Sequence, residues 1–121
     1  IRQIIIWKRA GGINFNERFY LPTHEWIILF AKENFRLKSK GAAGIKDVWT
    51  FPQSRNTGHP ASFPIQLPLN ILETVKYKDI VIDPFCGSGT VALACKQTGS
   101  NYICFDNCQQ YVDMVNMRLN N

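Results

Sequence analysis

The stretch Asp83-Pro84-Phe85-Cys86-Gly87-Ser88-Gly89-Thr90 decides how the rest of the chain is read. Before it stands Ile80-Val81-Ile82, an apolar run without alternation, typical of a parallel sheet covered on both faces. After it, Val91-Ala92-Leu93-Ala94-Cys95 opens a helix running to about Thr98, with Gly99 at its C-cap. The chain must reverse sharply between strand and helix, and a ligand approaching that backbone must meet no Cβ. Both demands select glycine at 87 and 89. Residues 101–105 then form a second strand that ends in Asp106, seventeen residues after Gly89, and residues 107–119 form a second helix. Upstream, Leu67, Leu69, Ile71, Leu72 and Val75 recur near the helical period, which predicts a helix over 65–76 with Pro64 near its start. The order helix, strand, glycine turn, helix, strand, acid, helix predicts an α/β fold: half of a doubly wound parallel sheet.

A carboxylate at the tip of the second strand can accept both hydrogen bonds of a ribose diol, so Asp106 points to a nucleoside ligand. The glycine pattern narrows the choice. A dinucleotide fingerprint needs a third glycine, but Gly89 is followed by Thr90, Val91 and Ala92. A P-loop needs a lysine after the last glycine, and none is there. No cation near the turn offers to neutralise a pyrophosphate. A ligand without phosphates fits better.

The first half of the chain is less regular. Residues 1–7, rich in Ile, predict a strand bounded by Gly11-Gly12, and residues 25–32 predict a second, well-buried strand, paired with the first as a hairpin across a long connection. Residues 34–62 look like an extended loop region interrupted by the short apolar run Asp47-Val48-Trp49-Thr50-Phe51. A loop of that length is usually functional. His24, ahead of a buried strand, is expected to be structural, and Trp49 to pack rather than to stack on bases.

Charge separates the two halves. Residues 1–58 carry ten Lys/Arg against four acids, and residues 59–121 carry four against five. The first half suits a polyanion, or else displays solvated lysines. Two of its segments, residues 35–41 and 54–58, combine cations with flexible residues as phosphate-tracking loops do, which makes Arg36, Lys38, Lys40 and Arg55 candidate contacts.

With 121 residues, 45% of them apolar, the composition is that of one globular domain. No apolar run approaches the roughly 18 residues of a spanning helix, and no signal peptide is visible, so no membrane association is expected. The missing initiator Met suggests a fragment or a processed product. Four cysteines, Cys86, Cys95, Cys104 and Cys108, make no C-x-x-C pair, and His24 and His59 lie far off, so no metal site is expected. Buried, reduced thiols are expected instead.

Residues 83–90 resemble the cofactor motif D-P-F-x-G-S-G-T of S-adenosylmethionine-dependent DNA amino-methyltransferases. Gly58-His59-Pro60-Ala61-Ser62-Phe63-Pro64 with Leu67-Pro68 is similar to the H-P-A-x-F-P-x-x-L motif that precedes it in the β-type members, and Asp47-Val48-Trp49 to the D-V-W that leads into that segment. Tyr102–Asp106, Tyr111 and Arg118-Leu119 look like the family's acid-bearing strand and following helix. Trp7-Lys8 and His24-Glu25 resemble its W-x-K…H-E hairpin.

The resemblance implies a Rossmann-like methyltransferase fold, here incomplete: half of the doubly wound sheet plus the antiparallel hairpin. On this basis residues 1–33 are the hairpin, 34–58 a basic segment able to contact DNA, and 59–121 the S-adenosyl-L-methionine-binding region. Phe85, Gly87 and Gly89 would cradle the methionine part of the cofactor, Asp83 would support the turn, and Asp106 would bind the ribose hydroxyls. His59, Phe63 and Pro64 would border the same pocket, and Cys86 would be a spacer rather than a nucleophile.

The reaction implied is methyl transfer to an exocyclic amino group of double-stranded DNA, adenine N6 or cytosine N4, in the prokaryotic cytoplasm. The family's catalytic motif, [DNS]-P-P-[YFW], occurs nowhere in these 121 residues. No catalytic residue is therefore assigned, and a partner half carrying P-P-[YF], in the same protein or a separate chain, is expected. The missing central strands would leave unpaired edges and an open apolar face. The alternatives are a non-catalytic S-adenosylmethionine- or nucleic-acid-binding module and half of an unrelated nucleotide-binding oxidoreductase.

Overall fold

The computed structural model describes residues 1–9, 16–52, 63–75 and 80–120. In chain order these form β1 (Gln3–Lys8), β2 (His24–Leu29), α1 (Lys40–Ala43), β3 (Val48–Thr50), α2 (Gln66–Thr74), β4 (Val81–Asp83), α3 (Thr90–Thr98), β5 (Tyr102–Cys104) and α4 (Gln109–Asn120).

The strands make two sheets. In the first, β1 is central, antiparallel to β2 from Gln3↔Leu29 to Lys8↔His24 and parallel to β3 from Ile6↔Val48 to Lys8↔Thr50. In the second, β4 and β5 run parallel, with Ile82 opposite Ile103. Strand alternation gives each sheet one covered face. On the first sheet, Trp7 and Trp49 sit buried with Leu67 of α2, flanked by Ile5, Ile27, Phe51 and Phe63. The Trp7 indole N–H donates to Phe51 O at 3.0 Å and that of Trp49 to Lys46 O at 2.7 Å, so both large side chains are buried with their donors satisfied. On the second sheet, Val81 and Tyr102 pack on Leu72, Ala94 and Cys95, and Tyr102 and Cys104 on Cys86, Ala92 and Val115. Helix α2 therefore links the two sheets, through Leu67 to one and Leu72 to the other.

Four expectations are corrected. The segment 25–32 is not well buried: Trp26 is 64% exposed, and Ile28 and Phe30 are exposed too. Among the described residues β2 is an edge strand paired with β1 alone, and only alternate side chains reach the core. Nor is 80–82 covered on both faces. Ile82 is 63% exposed and Ile103 opposite it is exposed, because α2, α3 and α4 all pack on the Val81–Tyr102–Cys104 face. Finally, the 34–62 region is not all loop. Ser39 caps α1 by accepting from the Ala42 N–H at 3.1 Å, and the run at 47–51 becomes β3 by pairing with β1. Helix α2 also stops earlier than 76, because Val75 is extended (φ −82°, ψ 146°) and bridges to Leu37.

Candidate cofactor-binding site

The glycine turn is closed by backbone bonds to the end of β5. Asp83 O accepts from the Phe105 N–H at 2.9 Å, and the Cys86 N–H donates to Phe105 O at 2.8 Å. The Asp83 carboxylate accepts from the Phe85 N–H at 3.1 Å, bracing the start of the turn. The turn then tightens, with the Gly89 N–H on Cys86 O at 2.7 Å. Gly87 (φ 47°) and Gly89 (φ 77°) both lie in the left-handed region that side chains disfavour, which is the conformational demand read from the sequence. Gly89 is the N-cap of α3, and Gly99 its left-handed C-cap.

Asp106 joins the turn to β5. Its Oδ2 accepts from the Gly87 N–H at 2.9 Å and its Oδ1 from the Cys108 N–H at 2.9 Å. An ionised carboxylate has about four lone-pair positions, so two backbone donors do not exhaust its capacity to accept. Pro84, Phe85, Phe105, Asp106 and Asn107 line a cleft of about 330 Å³. Phe85 is 87% exposed and Phe105 is also open to solvent, so two aromatic faces flank the carboxylate.

Phe63 lies elsewhere. It lines a separate apolar cleft of about 250 Å³ with Trp7, Trp26, Leu67, Pro68 and Val91, while Pro64 is buried just ahead of α2. That cleft reaches the first turn of α3 at Val91 but does not include Asp106. His59 and Arg55 fall outside the described residues. Arg36, Lys38 and Lys40 are all exposed. The Arg36 guanidinium donates to Phe35 O at 2.8 Å and Glu33 O at 3.4 Å, and the Lys38 backbone N–H to Thr74 O at 2.9 Å. The three cations are thus carried on a segment tied to the end of α2.

Burial disfavours the thiolate form at two of the thiols near the turn. Cys86 and Cys95 are buried, Cys104 and Cys108 half-buried, and all four are free. Burial first, and then the neighbouring Cys86 and Asp83, push the Cys104 thiol up to about 12. Burial, Asp106 and Asp83 push Cys86 up as well. A thiol kept protonated is inert at neutral pH. Among the described residues no group of three or more His, Cys, Asp or Glu could hold a metal ion, and no helix is long and apolar enough to cross a membrane.

A cation does stand at the turn, although none is near it in sequence. Arg118 Nη1 donates to Ser88 O, thirty residues away. It comes from α4, whose Val115 packs against Gly89. Nothing local in the sequence signals this contact, because it depends on how α4 crosses α3.

A model of the DNA methylase family, covering N6 and N4 enzymes, matches residues 1–117. The chain belongs to this family. As a DNA methylase chain it is 29% identical to the type II methyltransferase M2.MboI of Moraxella bovis, over 98% of its own length and 49% of that protein's. It is 31% identical to the type II methyltransferase M.Cfr9I of Citrobacter freundii, over 98% of its own length and 44% of that protein's. The methylase chain therefore spans about half the length of the curated relatives it matches. Its fold is that of known methyltransferase structures. It superposes on the cytosine-N4-specific PvuII DNA methyltransferase with a TM-score of 0.75 at 20% identity, covering 96% of this chain and 50% of that one. It superposes on the M1.HpyAVI–SAM complex with a TM-score of 0.69 at 23% identity, covering 97% and 60%. The architecture is thus the Rossmann-like methyltransferase fold, with the five strands of the described residues held in two partial sheets.

Proposed function

We propose that this chain supplies the S-adenosyl-L-methionine site of a DNA amino-methyltransferase that acts in the cytoplasm on adenine N6 or cytosine N4 of double-stranded DNA. The observation that carries it is the coupling of turn and acid: Asp106 binds the Gly87 N–H while lining the cleft between Phe85 and Phe105. The residues present suit a phosphate-free nucleoside. An acceptor-only carboxylate matches a ribose diol, flanking aromatic faces match a base, and the Arg118 guanidinium at the turn is engaged with the Ser88 carbonyl.

When bound, the cofactor supplies an electrophilic methyl group on a sulfonium. Asp106 would hold the ribose hydroxyls, and Gly87 and Gly89 would let the methionine part approach the backbone, next to Phe85. Asp83 would keep the turn in shape, and His59 and Pro64 would border the site from the segment ahead of α2. The clamp for the target amine belongs to a P-P-[YF] motif outside these 121 residues, on a half that would also cover the exposed Ile82–Ile103 face.

Calorimetric titration tests the cofactor. S-adenosylhomocysteine should bind and NAD should not. Asp106→Ala should weaken S-adenosylhomocysteine by about 1.5–3 kcal/mol, the range for hydrogen bonds to a charged acceptor. Unchanged binding in a folded variant would remove Asp106 from the site.

For DNA, Arg36, Lys38, Lys40 and Arg55 are proposed phosphate contacts. Affinity of the complemented enzyme should fall steeply with salt, and each lost contact should lower the log–log slope by roughly 1. If the slope stays the same after Lys38 and Lys40 are both replaced, those lysines are merely solvated.

A further inference from the structure

Helix α4 holds the glycine turn at two consecutive residues, Ser88 and Gly89. Gly89 lies so close to Val115 that an added Cβ would sit 2.8 Å from Cγ2 and 3.0 Å from Cγ1. One helical turn on from Val115, Arg118 donates to the Ser88 carbonyl. Ser88 is only 4% exposed, and a buried carbonyl needs a donor. The α3 ladder does not supply it. Gly89 is the N-cap, so the first acceptor of the α3 series is Gly89 O, which takes the Leu93 N–H at 3.0 Å, and the Ser88 carbonyl stands one residue outside it. The Ser88 carbonyl is turned out of that series, towards α4.

Electrostatics make the contact specific. A guanidinium beside the N-terminus of α3 faces the positive end of that helix, an unfavourable placement unless a directed bond offsets it. Arg118 also stands in the last turn of α4, where the dipole favours a cation. The same two helices are tied a second time, where Lys96 Nζ of α3 donates to Leu119 O.

We infer that Arg118 is a positioning residue for the cofactor turn: by holding the Ser88 carbonyl on the α4 side, it keeps the Gly87–Ser88–Gly89 backbone in the shape that faces the ligand. Its effect on the cofactor rests on the S-adenosylmethionine reading, but its effect on the turn does not.

The experiment separates the two. Amide hydrogen exchange is followed in the 121-residue chain and in its R118A and R118K variants without ligand. R118A should raise exchange at residues 86–90 by about tenfold or more and leave the amides of β1 and β2 unchanged, and R118K should recover part of the protection. Unaltered protection at 86–90, or a rise spread evenly over the chain, would overturn the inference.

Affinity is then measured with S-adenosylhomocysteine and with adenosine, which lacks the amino-acid part. R118A should weaken S-adenosylhomocysteine about ten- to a hundredfold and adenosine much less, and added guanidinium ion should restore part of the loss. Equal losses for both ligands, with no rescue, would mean that Arg118 serves only general stability and would overturn the inference. If the unmodified chain binds no S-adenosylhomocysteine, the cofactor reading fails, and hydrogen exchange alone still decides Arg118.

Discussion

Gly89→Ala is expected to destabilise the chain by about 2–5 kcal/mol, because two costs combine at this position. The backbone is left-handed, with φ 77° and ψ 25°, where an L side chain costs roughly 1–2 kcal/mol. The new Cβ would also stand 2.8 Å from a methyl of Val115, which is buried against Ala92 and Cys86, and overpacking of that kind costs about 1–3 kcal/mol. The two costs can be told apart. Val115→Ala removes the two methyl contacts but leaves its own Cβ at 3.2 Å and the backbone penalty, so the double variant should lose less than the sum of the singles, with a coupling of about 0.5–3 kcal/mol. Urea denaturation of the four proteins measures the cycle. A Gly89→Ala variant as stable as the parent would mean that α4 does not pack on the turn.

Methyl transfer should be absent from the 121-residue chain alone on any duplex at saturating cofactor, and should appear when a complementing half with a P-P-[YF] motif is added. A conjugated exocyclic amine is a poor nucleophile. Its lone pair has to be aimed at the methyl by acceptors that fit better as the nitrogen becomes tetrahedral. Taking a base out of the duplex also needs a surface on which it can stack. The carboxylates near the turn already have roles there: Asp83 braces the Phe85 N–H, and Asp106 holds the Gly87 and Cys108 N–H groups and is proposed for the ribose, so neither is assigned to the target amine. Burial pushes the Cys86 and Cys104 thiols up, away from the thiolate form. Tritium transfer from labelled S-adenosylmethionine into mixed-sequence DNA checks both arms. Robust transfer by the chain alone would place the amine clamp within these residues. No transfer after complementation would favour a binding module.

Much of the cofactor half was legible from residue order, because local chemistry decides it. The glycines at 87 and 89 adopt the left-handed geometry their spacing demanded, Gly99 caps α3, and the strand, turn, helix, strand, acid, helix order is the one observed. Each of these depends on residues within a few positions of one another.

What the tertiary structure alone decided is the set of contacts between distant segments. The run at 47–51 has the composition of a short apolar insert and becomes β3 only because Ile6–Lys8 offers it an edge. An apolar run at 25–32 suggests burial, but exposure is set by the number of neighbouring strands, and among the described residues β2 pairs with β1 alone. Phe63 stands in sequence where the cofactor pocket was expected, yet packing with Trp7 and Leu67 carries it into another cleft. Arg118 is the extreme case. The Ser88 carbonyl, ahead of the α3 N-cap, takes its donor from a helix thirty residues further on, and a crossing of two helices leaves no periodicity in the sequence to reveal it.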